Sequence, residues 1–298
     1  MKSVKWLGLI ALGGLLSVCL WLFISSGTEK SIKAGPYLTT APYLPEIFDF
    51  CGEEVPLSQS EVKERFDREL ISNSYYHSNT ILTMKRAHKF FPIIEPILSK
   101  YDIPDDFKYL CVIESNLSNV VSPAGAAGFW QFLSETARGY GLEINSQVDE
   151  RYHLEKATEA ACKYLKEAYN KFGSWTLAAA SYNMGMNGLE SKMMSQRESK
   201  YYDLLLYQET QRYVFRILAV KAIFSKPQRY GFHILDDEKY NYPDYKVLNT
   251  NQPISCITCF AKDNEVSYKE LKWMNPWIRS TAISNKNGKV YTFKILRE

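Results

Sequence analysis

The segment over residues 107–131 constrains the fold of this chain most, because an apolar helical stripe leads into a glycine-rich turn. Phe107, Leu110, Cys111 and Glu114 recur at the i, i+3, i+4 and i+7 spacing of one helix face. The pattern predicts an α-helix whose buried side includes Glu114. A buried carboxyl resists ionisation, and its raised pKa suits a general acid near neutral pH. Taken alone, the pattern also fits a solvated carboxylate at a helix end.

The turn that follows reads SPAGAAGFWQ over residues 122–131. Gly125 and Gly128 permit a positive φ or a close approach between two chain segments. We expect the large indole of Trp130 to pack inside the protein rather than to offer its face to a ligand. Gln131, directly after it, is the better candidate for a hydrogen bond to a ligand.

Four motifs in a fixed order point to one family. They are Glu114-Ser115, Gly125-x-x-Gly128-x-Trp130-Gln131, Tyr182-Asn183-x-Gly185 and Glu209-Thr210-x-x-Tyr213-Val214. Together they resemble the lytic transglycosylase domain of the soluble lytic transglycosylase (SLT) type, and within it the group of membrane-bound lytic murein transglycosylase D. The resemblance covers roughly residues 85–232. It implies a mainly α, lysozyme-like helical catalytic domain that cleaves the glycan strands of peptidoglycan.

The resemblance also implies a mechanism with one glutamate. Protonated Glu114 would protonate the oxygen that links N-acetylmuramic acid to N-acetylglucosamine. The resulting carboxylate would then take the proton of the C6 hydroxyl, which attacks C1 and closes a 1,6-anhydro ring. Most glycosidases need two carboxylates, and no motif supplies a second one near Glu114. A muramidase in which water attacks and a peptidoglycan-binding scaffold without catalysis are the alternatives.

Six further side chains receive substrate-binding roles from the resemblance: Ser122, Gln131, Tyr182, Asn183, Glu209 and Tyr213. Ser122 and Tyr182 would stabilise the N-acetyl group or the oxazolinium ion formed from it. The other four would line the sugar groove or hold its shape, and Glu209 and Tyr213 fit a structural role equally well. The spacer between Glu114 and Ser122 is one residue shorter than in some members of the family, which leaves the placement of Ser122 open.

The amino terminus predicts export. Lys2 and Lys5 precede an uncharged run whose densest part, residues 6–24, has 19 residues, close to the ~20 needed to cross a bilayer. Positive residues before the run favour an uncleaved anchor with the rest of the chain outside. A cleaved signal peptide is the alternative, and lipoprotein processing at Cys19 fits less well. We therefore predict a signal anchor or signal peptide over residues 1–28, and protein exported to the periplasm or cell envelope.

Residues 29–60 are punctuated by prolines and predict a tether. Helical periodicity then predicts one all-α domain over residues 61–232, and the resemblance implies that this is the catalytic domain. The expected helices start near Ser60, cover residues 79–90, 92–101, 175–182 and 201–224, and include an alanine-rich helix that Gly173 ends. Asp102 is the expected amino-terminal cap of the helix that carries Glu114, with Pro104 in its first turn.

Residues 240–298 predict a second, smaller unit. A strand at residues 245–247, helical stretches at 254–264 and 266–271 and an alternating strand at 290–295 resemble a LysM module. Such α+β modules have β-α-α-β order and bind glycans that contain N-acetylglucosamine. The Gly-Asp usual after the first strand is replaced by residues 251–253. Glycan attachment and a packing domain without sugar affinity therefore both remain open.

Charge and cysteine content argue against several other classes of protein. The formal charge is only +3 and the basic residues are scattered, which argues against a nucleic-acid partner. The pair Cys256-x-x-Cys259 lies in a predicted helix without a second pair for zinc, and six cysteines define no disulfide framework. The four histidines form no metal-ligand pattern. We expect no cofactor and no metal, with peptidoglycan and, through the amino terminus, a membrane as the partners.

Overall fold

The computed structural model describes residues 40–297 of the 298-residue chain. The predicted signal anchor or signal peptide (residues 1–28) and the first part of the predicted tether lie outside the described residues. Ten α-helices lie within them: α1 Ser60–Tyr75, α2 His77–Lys100, α3 Phe107–Ser115, α4 Ser134–Gly139, α5 Leu154–Phe172, α6 Trp175–Met184, α7 Met186–Gln196, α8 Gln208–Ser225, α9 Ile257–Asp263 and α10 Tyr268–Met274. None of these ten has the length and apolar character needed to cross a bilayer.

Two antiparallel two-stranded sheets accompany the helices: β1 Asp49–Phe50 with β2 Glu53–Glu54, and β3 Tyr245–Thr250 with β4 Tyr291–Leu296. The predicted mainly α fold with a small α+β carboxyl-terminal module is therefore confirmed.

Helix α1 begins where the sequence predicts it. Val62, Phe66 and Leu70 recur every four residues and are buried, so the apolar stripe faces the core as the periodicity requires. The helix packs against α8. Between the two, the buried carboxylate of Glu69 accepts a hydrogen bond from Arg212 Nε at 2.7 Å, which supplies the partner that a buried charge needs.

Helix α2 corrects the prediction of two helices that break at Phe91-Pro92. It runs without a break and contains both Pro92 and Pro96, although an interior proline costs about 3 kcal/mol through a lost donor and a steric clash. Both prolines are exposed, while Ile94 between them and Leu98 after them are fully buried. The carbonyls that lose a partner can therefore be hydrated, and tertiary packing of the opposite face holds the helix together.

The start of α3 also differs from the prediction. Asp102 has a φ of 53° and is not the cap, because the helix begins at Phe107 with Asp106 in the capping position. The Asp106 carboxylate instead accepts hydrogen bonds from Lys221 Nζ at 2.7 Å and from the backbone of Cys51 at 2.6 Å. Its side chain thus ties α3 to α8 and to the β1–β2 hairpin.

That hairpin shows that the predicted tether over residues 29–60 extends too far. Phe50 and Val55 are buried in the helical core. Glu53 lies at the amino terminus of α6, where its carboxylate accepts hydrogen bonds from the backbone N–H groups of Trp175 at 2.6 Å and Thr176 at 2.9 Å. A carboxylate at a helix amino terminus is favoured by the helix dipole. The proline-rich stretch therefore contributes to the domain from about residue 48 onwards.

The later helices follow the sequence with one exception. Helix α5 presents its alanines to the core and ends at Gly173, which has a φ of 68°. The predicted helix over residues 201–224 is wrong at its start, because α8 begins only at Gln208. Residues 201–203 form a separate 3₁₀ turn. The hydroxyl of Tyr201 donates to Thr210 O at 3.1 Å, so this turn folds back onto the first turn of α8.

The carboxyl-terminal module has the predicted β-α-α-β order, with β3 and β4 paired along six residues. Its own core contains Ile257, Leu271 and Phe293. A disulfide joins Cys256 to Cys259; Cys256 caps α9 rather than lying inside a helix. The bond thus crosslinks the start of α9, a pairing that the sequence left undetermined.

The module is docked against the helical domain, and residues 42–297 lie in one compact unit. The backbone of Asp149 donates a hydrogen bond to Trp277 O at 2.9 Å. Lys289 Nζ lies 2.8 Å from the buried carboxylate of Glu150. Backbone bonds and a buried ion pair therefore both cross this interface.

Candidate active site

The turn after α3 fixes the position of Glu114, the residue before the last of that helix. Asn116 and Leu117 have φ values of 49° and 53°, a left-handed conformation that costs about 1–2 kcal/mol for each residue with a Cβ. Two side chains of α2 hold the turn. Asn79 Nδ2 donates to Asn116 Oδ1 at 3.2 Å and Arg86 donates to Asn116 O at 3.0 Å. Backbone strain at a held turn is frequent at functional sites.

Glu114 itself is a partly buried carboxyl with a neutral hydrogen-bond donor. The hydroxyl of Tyr213 donates to Glu114 Oε1. Burial raises the pKa of Glu114 to about 7, although the bond from Tyr213 and the positive charge of Arg216 lower it and Glu209 raises it further. At neutral pH the acid and the carboxylate are therefore populated about equally, as a group that acts first as an acid and then as a base requires.

Three of the residues that act on Glu114 come from one face of α8. Glu209, Tyr213 and Arg216 follow one another at steps of four and three residues, the spacing of helix neighbours. Arg216 Nη2 donates to a carboxylate oxygen of Glu209. Arg216 was not among the predicted site residues. Its spacing from Glu209 and Tyr213 was the sequence signal that would have found it.

Tyr182, near the end of α6, contacts the glycine-rich loop. Its hydroxyl donates to Trp130 O at 2.8 Å, and its ring meets the ring of Phe132 edge to face. Burial raises the pKa of Tyr182 well above its ordinary value, and the nearby charge of Glu114 raises it further. The phenol therefore stays neutral and keeps a proton to donate at any physiological pH.

Asn183 lies next to Tyr182 and connects two helices. Its Oδ1 accepts a hydrogen bond of 2.7 Å from Thr210 Oγ1, which ties the end of α6 to the first turn of α8. The structure therefore gives Asn183 a positioning contact, and it brings the third and fourth sequence motifs together.

The loop over residues 118–132 is held by its own short-range bonds. Ser122 Oγ accepts from the backbone of Ala126 at 3.0 Å, so in this structure Ser122 closes the turn. Gly125 and Gly128 both have a φ of 81°, as their predicted turn role requires. A Cβ on Gly128 would stand 1.9 Å from the backbone oxygen of Arg151, whereas one on Gly125 would meet open space. Close chain approach thus applies to Gly128 alone.

The buried side chain of Arg151 holds this loop through hydrogen bonds to its backbone. Arg151 donates to Gly125 O at 2.9 Å and to Phe132 O at 3.1 Å, and it forms an ion pair with Asp149 at 2.7 Å. Neither Asp149 nor Arg151 was among the predicted site residues. Because these contacts join residues up to 26 positions apart, no local pattern reveals them.

Trp130 and Gln131, near the end of the loop, make different kinds of contact. Trp130 is fully buried and its Nε1 donates to Thr158 Oγ1 at 2.9 Å, so the packing role is confirmed. Gln131 Nε2 donates to Val120 O at 3.0 Å and to Gly128 O at 2.7 Å. Both amide hydrogens of Gln131 therefore serve the loop, and its hydrogen bond to a ligand stays a prediction.

The predicted site residues thus fall into two groups. Glu114, Tyr182, Glu209 and Tyr213 share one electrostatic neighbourhood, with Glu209 more exposed than the others. Asn183, Ser122 and Gln131 make contacts that shape the surrounding loop and helix ends. Within residues 40–297, no three His, Cys, Asp or Glu side chains are grouped closely enough to hold a metal ion.

Comparison with known proteins gives two family matches. Residues 92–205 match the family model described as "Transglycosylase SLT domain", and residues 245–298 match the "Soluble lytic transglycosylase C-terminal LysM-like domain". The resemblance carried by the four motifs and the LysM-like resemblance of the module are therefore confirmed. The first match contains Glu114, Ser122, Gln131, Tyr182 and Asn183 and ends before α8.

Two curated proteins, both named membrane-bound lytic murein transglycosylase D, come from Escherichia coli strains K12 and O6:H1. Each is 29% identical over 198 residues, which is 63% of this chain and 43% of the relative. The chain thus spans less than half the length of these relatives. Among solved structures, the 70 kDa soluble lytic transglycosylase of Escherichia coli is 21% identical, covering 51% of this chain and 26% of its own, with a TM-score of 0.40.

Proposed function

We propose that this protein is a peptidoglycan lytic transglycosylase. It cleaves the β-1,4 bond between N-acetylmuramic acid and N-acetylglucosamine without water and leaves a 1,6-anhydro end, in cell-wall remodelling or turnover. The observation that carries the proposal is Glu114, a partly buried carboxyl with a pKa of about 7 and a phenol as its hydrogen-bond donor. The names of the matched domain and of the curated relatives support the same reaction class.

The first step is protonation of the leaving group. Because the pKa of Glu114 is about 7, a large fraction is protonated at neutral pH, and that form donates its proton to the glycosidic oxygen as the C1–O bond breaks. The muramic N-acetyl group stabilises the cation that develops at C1, as an oxazolinium ion. In this structure the neutral phenol of Tyr182 donates its single proton to Trp130 O, and we propose that it donates instead to the N-acetyl carbonyl oxygen when the substrate is bound.

The second step reverses the proton transfer. Glu114, now a carboxylate, accepts the proton of the C6 hydroxyl, and the C6 oxygen bonds to C1 to close the anhydro ring. The acid is thereby regenerated and no water is consumed. Glu209 is the other carboxylate whose charge acts on Glu114, and it is exposed and paired with Arg216. That pairing supports a mechanism with a single glutamate and the substrate's own N-acetyl group.

The remaining loop residues shape the groove. Ser122 closes the turn and Gln131 bonds to the loop backbone, while Asn183 fixes the end of α6 against α8. We propose that these contacts hold the sugar-binding groove, with Ser122 and Gln131 at its wall.

The cellular setting follows from the two ends of the chain. We propose that residues 1–28 direct export and that the apolar run holds the protein at a membrane of the cell envelope, in line with the name of its curated relatives. Residues 61–232, together with the β1–β2 hairpin that packs against them, then act as the catalytic domain and residues 240–298 as a glycan-attachment module. The family matches over residues 92–205 and 245–298 support this division.

The test is mass spectrometry of the products released from purified peptidoglycan by the full-length protein and by its Glu114→Gln variant. We expect anhydro-muropeptides from the wild type and none from the variant. Reducing-end products would mean that water attacks and that the enzyme is a muramidase. Binding without any product would identify a non-catalytic scaffold. A thermal unfolding curve of the variant checks that it is folded.

A further inference from the structure

A cavity of about 450 Å³ opens between the helical domain and the carboxyl-terminal module. Its volume lies within the range of small-molecule binding pockets. Its walls come from α2, from the turn after α3, from residues 152–155 and from the module at residues 273–277. Glu114 is not among the residues that line it, so the cavity is separate from the acid.

The cavity carries positive charge that the protein does not neutralise. Within the described part of the chain, no carboxylate oxygen is recorded within 4.0 Å of the side-chain nitrogens of Arg86 or Lys89, whereas Lys294, on the opposite wall, is paired with Glu155. Lys89 Nζ lies 5.3 Å from the ring centroid of Tyr242 and 4.8 Å from that of Trp273. Desolvation lowers the pKa of Lys89 from its ordinary value. A cation in this half-buried position gains most from an anionic ligand.

The cavity also presents apolar surface at its mouth. Trp273 is 55% exposed and Tyr240 is 40% exposed, although both line the cavity. Exposed aromatic faces beside a cation are typical of binding surfaces rather than of packing. A ligand that combines negative charge with apolar groups therefore suits this cavity.

The cavity is connected to the acid through the chain itself. Residues 117–119, which line it, begin two residues after the end of α3. Phe129 lines it as well, and the next residue, Trp130, accepts the hydrogen bond from Tyr182. Arg86 lines the cavity and holds the backbone oxygen of Asn116 at 3.0 Å. The turn after α3 and the loop that carries Trp130 therefore border both the cavity and the segment that holds Glu114.

We propose that this cavity binds the stem peptide of peptidoglycan through its carboxylates, with Lys89 as the principal contact and Trp273 against the peptide side chains. The proposal rests on the proposed function. In intact peptidoglycan the lactyl carboxyl of muramic acid is held in an amide bond, so the free carboxylates belong to the peptide. The methyl groups of its alanines are apolar groups that can pack against Trp273 and Tyr240.

Titration calorimetry with the full-length protein tests this. The probes are the disaccharide N-acetylglucosaminyl-N-acetylmuramic acid with its tetrapeptide and the same disaccharide without it. Neither contains the bond that the enzyme is proposed to cleave, so binding is measured independently of activity. We expect the peptide-bearing probe to bind about tenfold more tightly, the usual effect of one charge-assisted hydrogen bond.

The variants locate the effect. Lys89→Met removes the advantage of the peptide-bearing probe, and Lys89→Arg retains most of it. Lys100→Met is the matched control on the same helix, because Lys100 is exposed and paired with Glu159 at 3.4 Å outside the cavity. Unfolding curves check that each variant is folded.

Three outcomes would overturn the proposal. The two probes bind equally, or the advantage of the peptide survives Lys89→Met. Alternatively, the bare disaccharide binds as tightly and Lys89→Met weakens it, in which case the free lactyl carboxylate is the ligand. A protein that shows the peptide effect but releases no products keeps this site and loses the proposed function. One that cleaves but binds both probes alike loses only this site.

Discussion

Two glutamates are withdrawn from solvent, Glu114 on α3 and Glu150 at the interface between the helical domain and the carboxyl-terminal module. Their pKa values shift in opposite directions. Burial raises the pKa of Glu114 to about 7, and Tyr213 reverses this only in part. Burial also opposes ionisation of Glu150, but hydrogen bonds from Lys156 and Lys289 outweigh it and hold the pKa of Glu150 below its usual value. What makes an acid here is the absence of a direct cation rather than burial alone.

Glu155, at the edge of the interface, is a third carboxyl whose pKa is set by its neighbours. Burial opposes the ionisation of Glu155, yet His153 and Lys294 lower its pKa to about 2. Glu155 is therefore a permanent anion, and its pairing with Lys294 holds the module to the helical domain. Lysines serve the interface as structural partners. In the active site the nearest cation, Arg216, is already bonded to Glu209.

The largest expected effect separates the two glutamates by activity. Glu114→Gln removes both the acid and the base, and we expect the rate of muropeptide release to fall by about 10³-fold or more. Glu150→Gln is the matched control, and we expect it to keep the rate within about threefold while it lowers the free energy of unfolding by about 2 kcal/mol, because Lys156 and Lys289 lose their anion. Rates and urea unfolding curves measure both. If the two variants lost activity equally, the distinction between acid and structural anion would be wrong.

The second prediction concerns the contact that joins the two regions. Gly128, in the active-site loop, lies against the backbone of Arg151, beside the interface. Gly128→Ala would place a Cβ 1.9 Å from Arg151 O, and we expect a loss of about 3 kcal/mol or more in stability together with most of the activity. Gly125→Ala has the same φ of 81° but open space, so we expect only about 1 kcal/mol. Equal losses in the two variants would mean that φ, and not the close approach, sets the cost.

The sequence predicted those features of the fold that depend on a local pattern of residues. The stripe of Phe107, Leu110 and Cys111 is buried, and Gly173 ends α5 as predicted. Because side chains on one helix face repeat at a fixed spacing, such features need no knowledge of the rest of the fold.

What the sequence could not predict depends on contacts between distant residues. Helix α2 continues through Pro92 because buried neighbours hold it, against the local preference of proline. Arg151 clamps a loop that lies up to 26 positions away, and the cavity with Lys89 forms only where the module docks. Propensity gives no information about such partners, and tertiary packing overrides it.

A third, smaller effect tests the electrostatic origin of the acid through stability. In the unfolded chain a glutamate ionises near pH 4.3, whereas the pKa of folded Glu114 is about 7. Between these values only the unfolded chain releases the proton, so the folded state loses stability as pH rises from about 4.3 to about 7. Glu114→Gln should therefore be more stable than the wild type by about 2 kcal/mol at pH 8, less than the full shift implies because the carboxyl is only partly buried. Near pH 4 the two should agree. Urea unfolding at both pH values measures the difference, and a gain that did not depend on pH would rule out this cause.

The last prediction concerns the single hydrogen bond from Tyr213 to Glu114. Tyr213 donates to Glu114 and lowers its pKa against the effect of burial, so Tyr213→Phe should raise that pKa. Because the first step needs protonated Glu114, the alkaline limb of the pH profile of kcat/KM should move to higher pH by up to about one unit, with the maximal rate reduced about tenfold or less. Tyr201→Phe is the control, since the Tyr201 hydroxyl is bonded to the backbone oxygens of Thr210 and Gln211 in α8; it should lower stability and leave the profile in place. A profile that shifted equally in both variants would mean that the position of α8, and not the bond to Glu114, tunes the acid.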